Sequence, residues 1–538
     1  MRKLILCALG CAAAVFVVAQ PERGGARLAK FHSTADGTEQ EYTFYVPRSY
    51  DPSRKYPLVV ALHEEDSNHI AELKRIFAVP GRYGETALQT LMTMPSLPDV
   101  EYIVVCPFAR GNMGYQGIAE QDVYDVVAEV KQKYAIDDDR VYLTGGSMGG
   151  GGALWLALTR PDVWAAVAPV CAAVLPHSEE LAGNALNLPV RLFHGDQDPA
   201  VPVASSRQWQ RRFLDLAVPV DYVEYPGVRH NAWDFAYRRP ALFDWFSTHT
   251  RNRNPDHVRF STRWYRYNAA YWVRIDGLTP GTLASVDAVR SGGDVKVLTQ
   301  NVDAFTITTP ARTVTIDGVA VRLRAGAKLA FVKTGGKWSP GTYAAAAKRP
   351  GLEGPIVDAM RSRQVWVYGT SGPVTEDELE RRRAVVEAGA TWSSFRTRVN
   401  VGASIKADRE VSQDEIAGAN LVLFGTRETN SLIARFASRL PMALSAGAAD
   451  YGIVFVTAVD GRYVLVNSGL PWWTGAEDVD RGGYRFAPQQ YRLLSTFGDY
   501  VLFKGRIGNV LAEGRLNRDW ALPAESKETL RSTGVVTF

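Results

Sequence analysis

Residues 141–157 read VYLTGGSMGGGGALWLA, with six glycines crowded around one serine. Glycine gives up the most conformational freedom on folding. A run this dense therefore marks a place where side chains do not fit or the backbone takes an unusual path. The flanks narrow the choice. Val141, Tyr142 and Leu143 favour a strand, and Ala153 to Leu158 is a run of good helix formers. The stretch predicts strand, sharp turn and helix, with Ser147 at the corner.

Gly145-Gly146-Ser147-Met148-Gly149 matches the pattern G-x-S-x-G in that strand-to-helix context. Such a corner suits a nucleophilic serine. Its hydroxyl projects from the carboxyl edge of a sheet, and residues two before and two after approach too closely to carry side chains. The helix that follows turns its positive, amide-rich end toward a developing oxyanion. A glycine-rich turn that merely closes a strand has the same pattern, so the partners decide. The chain order Ser, Asp, His requires an acid and then a base downstream. RLFHGDQDPAVPV supplies the acid directly after a strand, and the spacing from His194 selects Asp198 over Asp196. EYPGVRHNAW ends another strand and delivers His230 in a loop. Taken singly, Asp198 could cap a turn before Pro199 and His230 could be a surface histidine. Together, in order and each at a strand's carboxyl end, they point to a triad. Ser147 is then the nucleophile, His230 the general base and later acid, and Asp198 the group orienting His230.

At 538 residues the chain exceeds one ordinary core and is expected to hold two or three domains. Residues 27–250 alternate short apolar strands, such as YPLVVALH, EYIVVCP and PVRLFHG, with helical stretches such as AEQDVYDVVAEVKQKY (119–134). That rhythm predicts an α/β domain with a mostly parallel sheet covered on both faces. THTRNRNPDH is a polar, proline-containing linker. Residues 258–335 carry strand signals without helices and predict a small all-β, sandwich-like module. Residues 345–538 return to an α/β rhythm of Rossmann-like or flavodoxin-like character, including a helix over 375–395 with a Thr-x-x-Glu start. They lack G-x-G-x-x-G and the phosphate-loop signature, so no nucleotide is assigned. Gly425, Thr426 and Asn430 precede a helix, where an ordinary capped loop is preferred to an anion pocket. The aromatic-rich RWYRYNAAYWVRI is read as core and cross-strand pairs in preference to a sugar-stacking platform.

Through YVPRSYDPSRKYPLVVALH, DDRVYLTGGSMGG, FHGDQDPAVP and GVRHNAW, residues 27–249 resemble the α/β-hydrolases. Within that superfamily they are similar to secreted esterases of the feruloyl esterase and polyhydroxybutyrate depolymerase type, and also to the catalytic domain of the prolyl oligopeptidase family. The resemblance implies a serine hydrolase that works through an acyl-enzyme, with no cofactor and no metal. It also implies an oxyanion hole built from the backbone N–H of Met148 and one from the loop after the third strand. Relatives usually carry glycines in that loop, whereas here it reads His63-Glu64-Glu65-Asp66. The second N–H is assigned to Glu64, with Glu65 the alternative, and catalysis requires the acidic side chains to point outward. A metal cluster at these residues is disfavoured, because consecutive loop residues rarely converge on one ion; selection of a cationic substrate group is another use. In the resembling fold Cys106 ends the fourth strand and Cys171 the sixth, with two strands between. At ~4.8 Å per strand step they stand about 14 Å apart, beyond the ~7 Å reach of a disulfide, and both are expected to be buried free thiols.

Prolyl oligopeptidase relatives usually carry a long β-propeller ahead of the hydrolase domain, for which this sequence leaves no room. The preferred activity is therefore cleavage of carboxylic esters, on a small-molecule or polysaccharide-linked substrate. Short peptides are the alternative substrate. A third reading is a catalytically degenerate hydrolase domain serving as a binding protein, with the acidic loop as its mark.

Arg2 and Lys3 precede an apolar stretch from Leu4 to Val18, followed by Ala19, Gln20 and Pro21. This predicts a signal peptide over residues 1–19 and export to the periplasm or outside the cell. About 15 apolar residues fall short of the ~20 needed to span a bilayer, so the mature chain is expected to lack an integral membrane segment. A net charge of +4 without basic runs argues against nucleic acid as a partner.

Overall fold

Apolar strands alternating with helices in the first half of the chain build one eight-stranded sheet. Its strands are β1 (Ala26–His32), β2 (Glu39–Tyr45), β3 (Tyr56–Leu62), β4 (Ile103–Pro107), β5 (Ile136–Gly146), β6 (Ala166–Val170), β7 (Val190–Gly195) and β8 (Val220–Tyr225). They lie in the order β1-β2-β4-β3-β5-β6-β7-β8. β1 and β2 pair antiparallel, as do β2 and β4, and every other neighbouring pair is parallel. This is the strand order of an α/β-hydrolase. All of β3, β4 and β6 is buried, as expected of strands covered by helices on both faces. β1 gives little sequence signal, because it is an edge strand with mostly half-exposed or exposed residues.

The structure is a computed structural model that describes residues 25–79, 85–238, 241–323, 328–344, 347–390, 399–483 and 486–538. The predicted signal peptide at 1–19 lies outside the described residues. So does the end of the helix expected over 375–395, whose described part is Glu376–Ala390. Among the described residues, no helix is long and apolar enough to cross a membrane.

Strands between His257 and Pro340 form two five-stranded sheets that enclose an apolar core of their own, centred on Phe260, Ile275, Val286 and Phe305. The last region holds a seven-stranded sheet. Gln364–Tyr368 pairs in parallel with Ser404–Ala407 and with Asn420–Phe424, and the latter pairs in parallel with Arg462–Gly469. The other half is antiparallel: Tyr451–Val459 forms a hairpin with Arg462–Gly469 and pairs on its other side with Tyr500–Lys504. The sheet is therefore mixed, and only one half has the parallel character of a Rossmann-like arrangement. The reason is local. Asp460 and Gly461 both have positive φ, and an Asp-Gly turn of that kind joins two strands directly, leaving no space for a crossover helix.

This last region is docked on the hydrolase sheet through shared core. Trp155, Tyr267, Ile356, Met360 and Trp366 belong to one continuous buried cluster. Polar contacts reinforce the junction: Arg361 pairs with Glu120 at 3.0 Å, and the Arg363 backbone N–H donates to the carbonyl of Ala35 at 2.8 Å.

Cys106 in β4 and Cys171 just beyond β6 are separated by β3 and β5, and both are buried free thiols as expected.

Candidate active site

β5 ends at Gly146 and the next helix, Met148–Thr159, begins after a single residue. Ser147 makes that reversal with φ 53° and ψ −113°, a conformation that a non-glycine residue holds only where its surroundings impose it. Here the backbone is clamped. The Ser147 N–H donates to the carbonyl of Val170 at 2.9 Å, and its own carbonyl accepts from Gly151 at 2.9 Å and Ala173 at 3.0 Å. The glycines follow from the same crowding. A Cβ at Gly145 would lie 2.5 Å from the Gly149 carbonyl oxygen, and one at Gly149 2.0 Å from that of Leu62. At Gly151 it would meet the Ala173 carbonyl at 1.9 Å, and at Gly152 the ring of Tyr115 at 2.5 Å. The helix packs hard against β3 and the loop after β6, which brings its first turn beneath the serine.

The Ser147 Oγ lies 2.9 Å from Nε2 of His230, whose Nδ1 lies 2.7 Å from Oδ2 of Asp198. The other carboxylate oxygen of Asp198 accepts the N–H groups of Ala200 and Val201 at 2.8 and 2.9 Å. The turn-capping and histidine-orienting readings of this residue thus describe its two oxygens. Burial works against ionisation of Asp198, but hydrogen bonds from His194 and His230 and from these amides outweigh it and hold the carboxyl well below its usual range. Asp196, the alternative acid, accepts the N–H of Gly227 at 2.7 Å.

His194 is fully buried behind Asp198. Its Nε2 lies 3.0 Å from the Val201 carbonyl and 3.2 Å from Asp198 Oδ2. A carbonyl only accepts, so Nε2 carries the proton, and Nδ1 accepts from the Ser206 hydroxyl at 2.7 Å. Cys171, His194 and Asp198 place potential ligand atoms within 4.8 Å of one another. Both nitrogens of His194 are already hydrogen-bonded and Asp198 is engaged with His230. Burial, and after it the Asp198 charge, pushes the Cys171 thiol up to about 12, so the group is a framework for the acid, not a ready cation site.

The acidic loop after β3 diverges. Both ring nitrogens of His63 face backbone carbonyls, of Glu64 at 2.8 Å and Phe108 at 3.0 Å. Glu64 pairs with Arg75, whose Nη1 also donates to Ser67 Oγ at 3.0 Å. Asp66 Oδ1 accepts from the Asn112 amide at 2.9 Å. Glu64 and Ser147 line the same cavity, of about 570 Å3, and Met148 opens the helix where the first N–H groups have no intrahelical acceptor.

Three cavity residues escaped the sequence reading. Arg75 comes from the helix His69–Ile76 and lies over the Trp233 ring at 5.7 Å. Trp233 meets His230 edge to face at 5.3 Å and packs so closely on Gly146 that a Cβ there would lie 2.9 Å from it. Phe486 enters from the C-terminal region, against Gly114. Trp233 lies in the same HNAW segment as His230, which was its only available signal. Phe486 had none, because its placement depends on the docking of a distant region.

The fold and this constellation are those of an α/β-hydrolase domain running from Ala26 to about residue 249. Residues 33–214 match the family model Esterase. Feruloyl esterase D of Neurospora crassa is 27% identical over 183 residues, 33% of this chain and 60% of that protein. The chain thus spans about three-fifths of the curated relative it matches. Among solved structures, a thermostable esterase is 23% identical at a TM-score of 0.35, over 42% of this chain and 63% of that one. A ferulic acid esterase from Anaeromyces mucronatus is 19% identical at a TM-score of 0.31, over 41% and 92%.

Proposed function

We propose that this protein is an exported serine hydrolase that cleaves carboxylic esters through an acyl-enzyme. The observation that carries the reading is the hydrogen-bonded chain from Ser147 through His230 to Asp198, with the serine held at positive φ on the sheet's carboxyl edge. His230 takes the Ser147 proton as the hydroxyl attacks the ester carbonyl, and returns it to the departing alkoxide. Asp198 keeps Nδ1 protonated and stabilises the imidazolium. The N–H groups of Met148 and Glu64 receive the oxyanion. Water then repeats the sequence on the acyl-serine, releasing the acid. The similarity to a feruloyl esterase favours an aromatic acyl group on a small-molecule or polysaccharide-linked alcohol. Export rests on the basic, apolar and small-residue segments of residues 1–19.

Labelling with a fluorophosphonate probe, beside hydrolysis of short acyl esters, feruloyl esters and X-Pro amides, tests the proposal. The intact chain should be labelled and should hydrolyse esters, and Ser147→Ala should do neither. Labelling with amide cleavage alone would replace the ester reading by a peptidase, and no labelling would leave a binding protein.

A further inference from the structure

A second cavity, of about 650 Å3, lies where the three structural regions meet. Gln116 and Trp155 reach it from the hydrolase domain, Trp264 from the start of the β region, and Arg481, Ser495 and Arg515 from the C-terminal region. Its charge is unevenly compensated. Arg361 pairs with Glu120, Arg266 with Glu353 and Asp358, and Arg481 with Glu513. Arg515 is the exception. It has no ion-pair partner among the described residues, and its Nη1 is buried without a hydrogen bond. A guanidinium does not shed its proton, and Arg515 is half-buried on the cavity wall, so its cation is left for an entering anion to pair.

The remaining wall tells what else the anion carries. The Trp264 ring is fixed by edge-on contacts with Trp155 at 5.6 Å and Tyr267 at 5.8 Å. Tyr267 of the same aromatic-rich segment also lines this cavity, whereas Tyr265 and Trp272 are buried and hydrogen-bonded to the carbonyls of Leu278 and Pro255. Gln116, Ser495 and Glu513 add neutral and acidic hydrogen-bonding groups suited to hydroxyls. We infer that this three-region cavity binds a sugar carrying a carboxylate, with Arg515 taking the carboxylate and Trp264 the ring face. The site is separate from Ser147, and its test reads binding, so it stands apart from the ester-cleaving proposal.

Isothermal titration of the full chain carrying Ser147→Ala, with trigalacturonate, xylotriose, ferulate and inorganic phosphate, tests it. Trigalacturonate should bind with a Kd below about 1 mM, and each of the others at least about tenfold more weakly. Arg515→Gln and Trp264→Ala should each weaken trigalacturonate by at least about tenfold. Thermal unfolding identifies a variant that fails to fold, in which case the other one decides. No binding of trigalacturonate, equal binding of any other ligand, or unchanged affinity in the folded variants would overturn the inference.

Discussion

The Glu64 carboxylate is ion-paired with the Arg75 guanidinium at the border of the Ser147 cavity, and both side chains are largely buried. The acidic loop that seemed hostile to an oxyanion is therefore partly neutralised by a cation supplied from the next helix. Arg75→Gln should lower kcat/KM on a short acyl ester by about tenfold, because Glu64 then faces the site uncompensated. Restoring neutrality in the Glu64→Gln/Arg75→Gln double variant should recover most of that loss, with a coupling of about 0.5–3 kcal/mol in the cycle. Additive losses in kcat/KM would show that the two residues act separately.

Asp198 and Asp196 offer a sharper contrast, since they are two residues apart and only one meets His230. Asp198→Asn should reduce kcat by about 10⁴-fold, because the amide no longer holds the imidazole in the tautomer that accepts from Ser147. Asp196→Asn should stay within a few-fold of the parent. Steady-state kinetics of both variants on one ester check this, and equal losses would reassign the acid.

The glycines of the elbow make a prediction about stability alone. Gly149→Ala would force a methyl against the Leu62 carbonyl. Main chain of a fully buried strand gives way poorly, so a loss of about 1–3 kcal/mol or more is expected. Gly418→Ala meets nothing within 4 Å at the end of its helix and should be neutral or stabilising by up to about 1 kcal/mol. Chemical denaturation of the two variants reads the difference directly.

The hydrolase half was legible because its signals are local. Ser147 and Asp198 follow the buried ends of β5 and β7, His230 lies in the loop after β8, and the parallel pairing of these strands places all three on one edge. Arg75 and Phe486 were not, because one comes from the far end of a separate helix and the other from a region docked through tertiary packing. The mixed C-terminal sheet was misread for a different reason. The Asp460-Gly461 turn joins two antiparallel strands whose apolar runs look the same as those of parallel α/β strands. Asp408 explains the loop at Gly425, Thr426 and Asn430. Its carboxylate accepts from the Ser431 N–H at 2.6 Å and the Thr370 hydroxyl at 2.6 Å, while Asn430 caps the helix with its own side chain.

Glu72 predicts a pH dependence of stability. It is buried beside Arg75, and its Oε1 has no hydrogen-bond partner among the described residues. Burial, and after it the charge of Glu64, pushes its carboxyl up to about 8 from the ordinary 4.5. The folded chain therefore keeps a proton that the unfolded chain releases near 4.5. Stability from this group is complete below that pH, falls as pH rises toward about 8, and levels off above, at a slope of at most about 1.4 kcal/mol per pH unit. Glu72→Gln, neutral at every pH, removes the term. Thermal unfolding of parent and variant between pH 5 and 9 should show the variant gaining relative to the parent as pH rises. A difference that stays constant, or that moves the other way, would mean Glu72 is already ionised in the folded protein and Arg75 is its counter-ion.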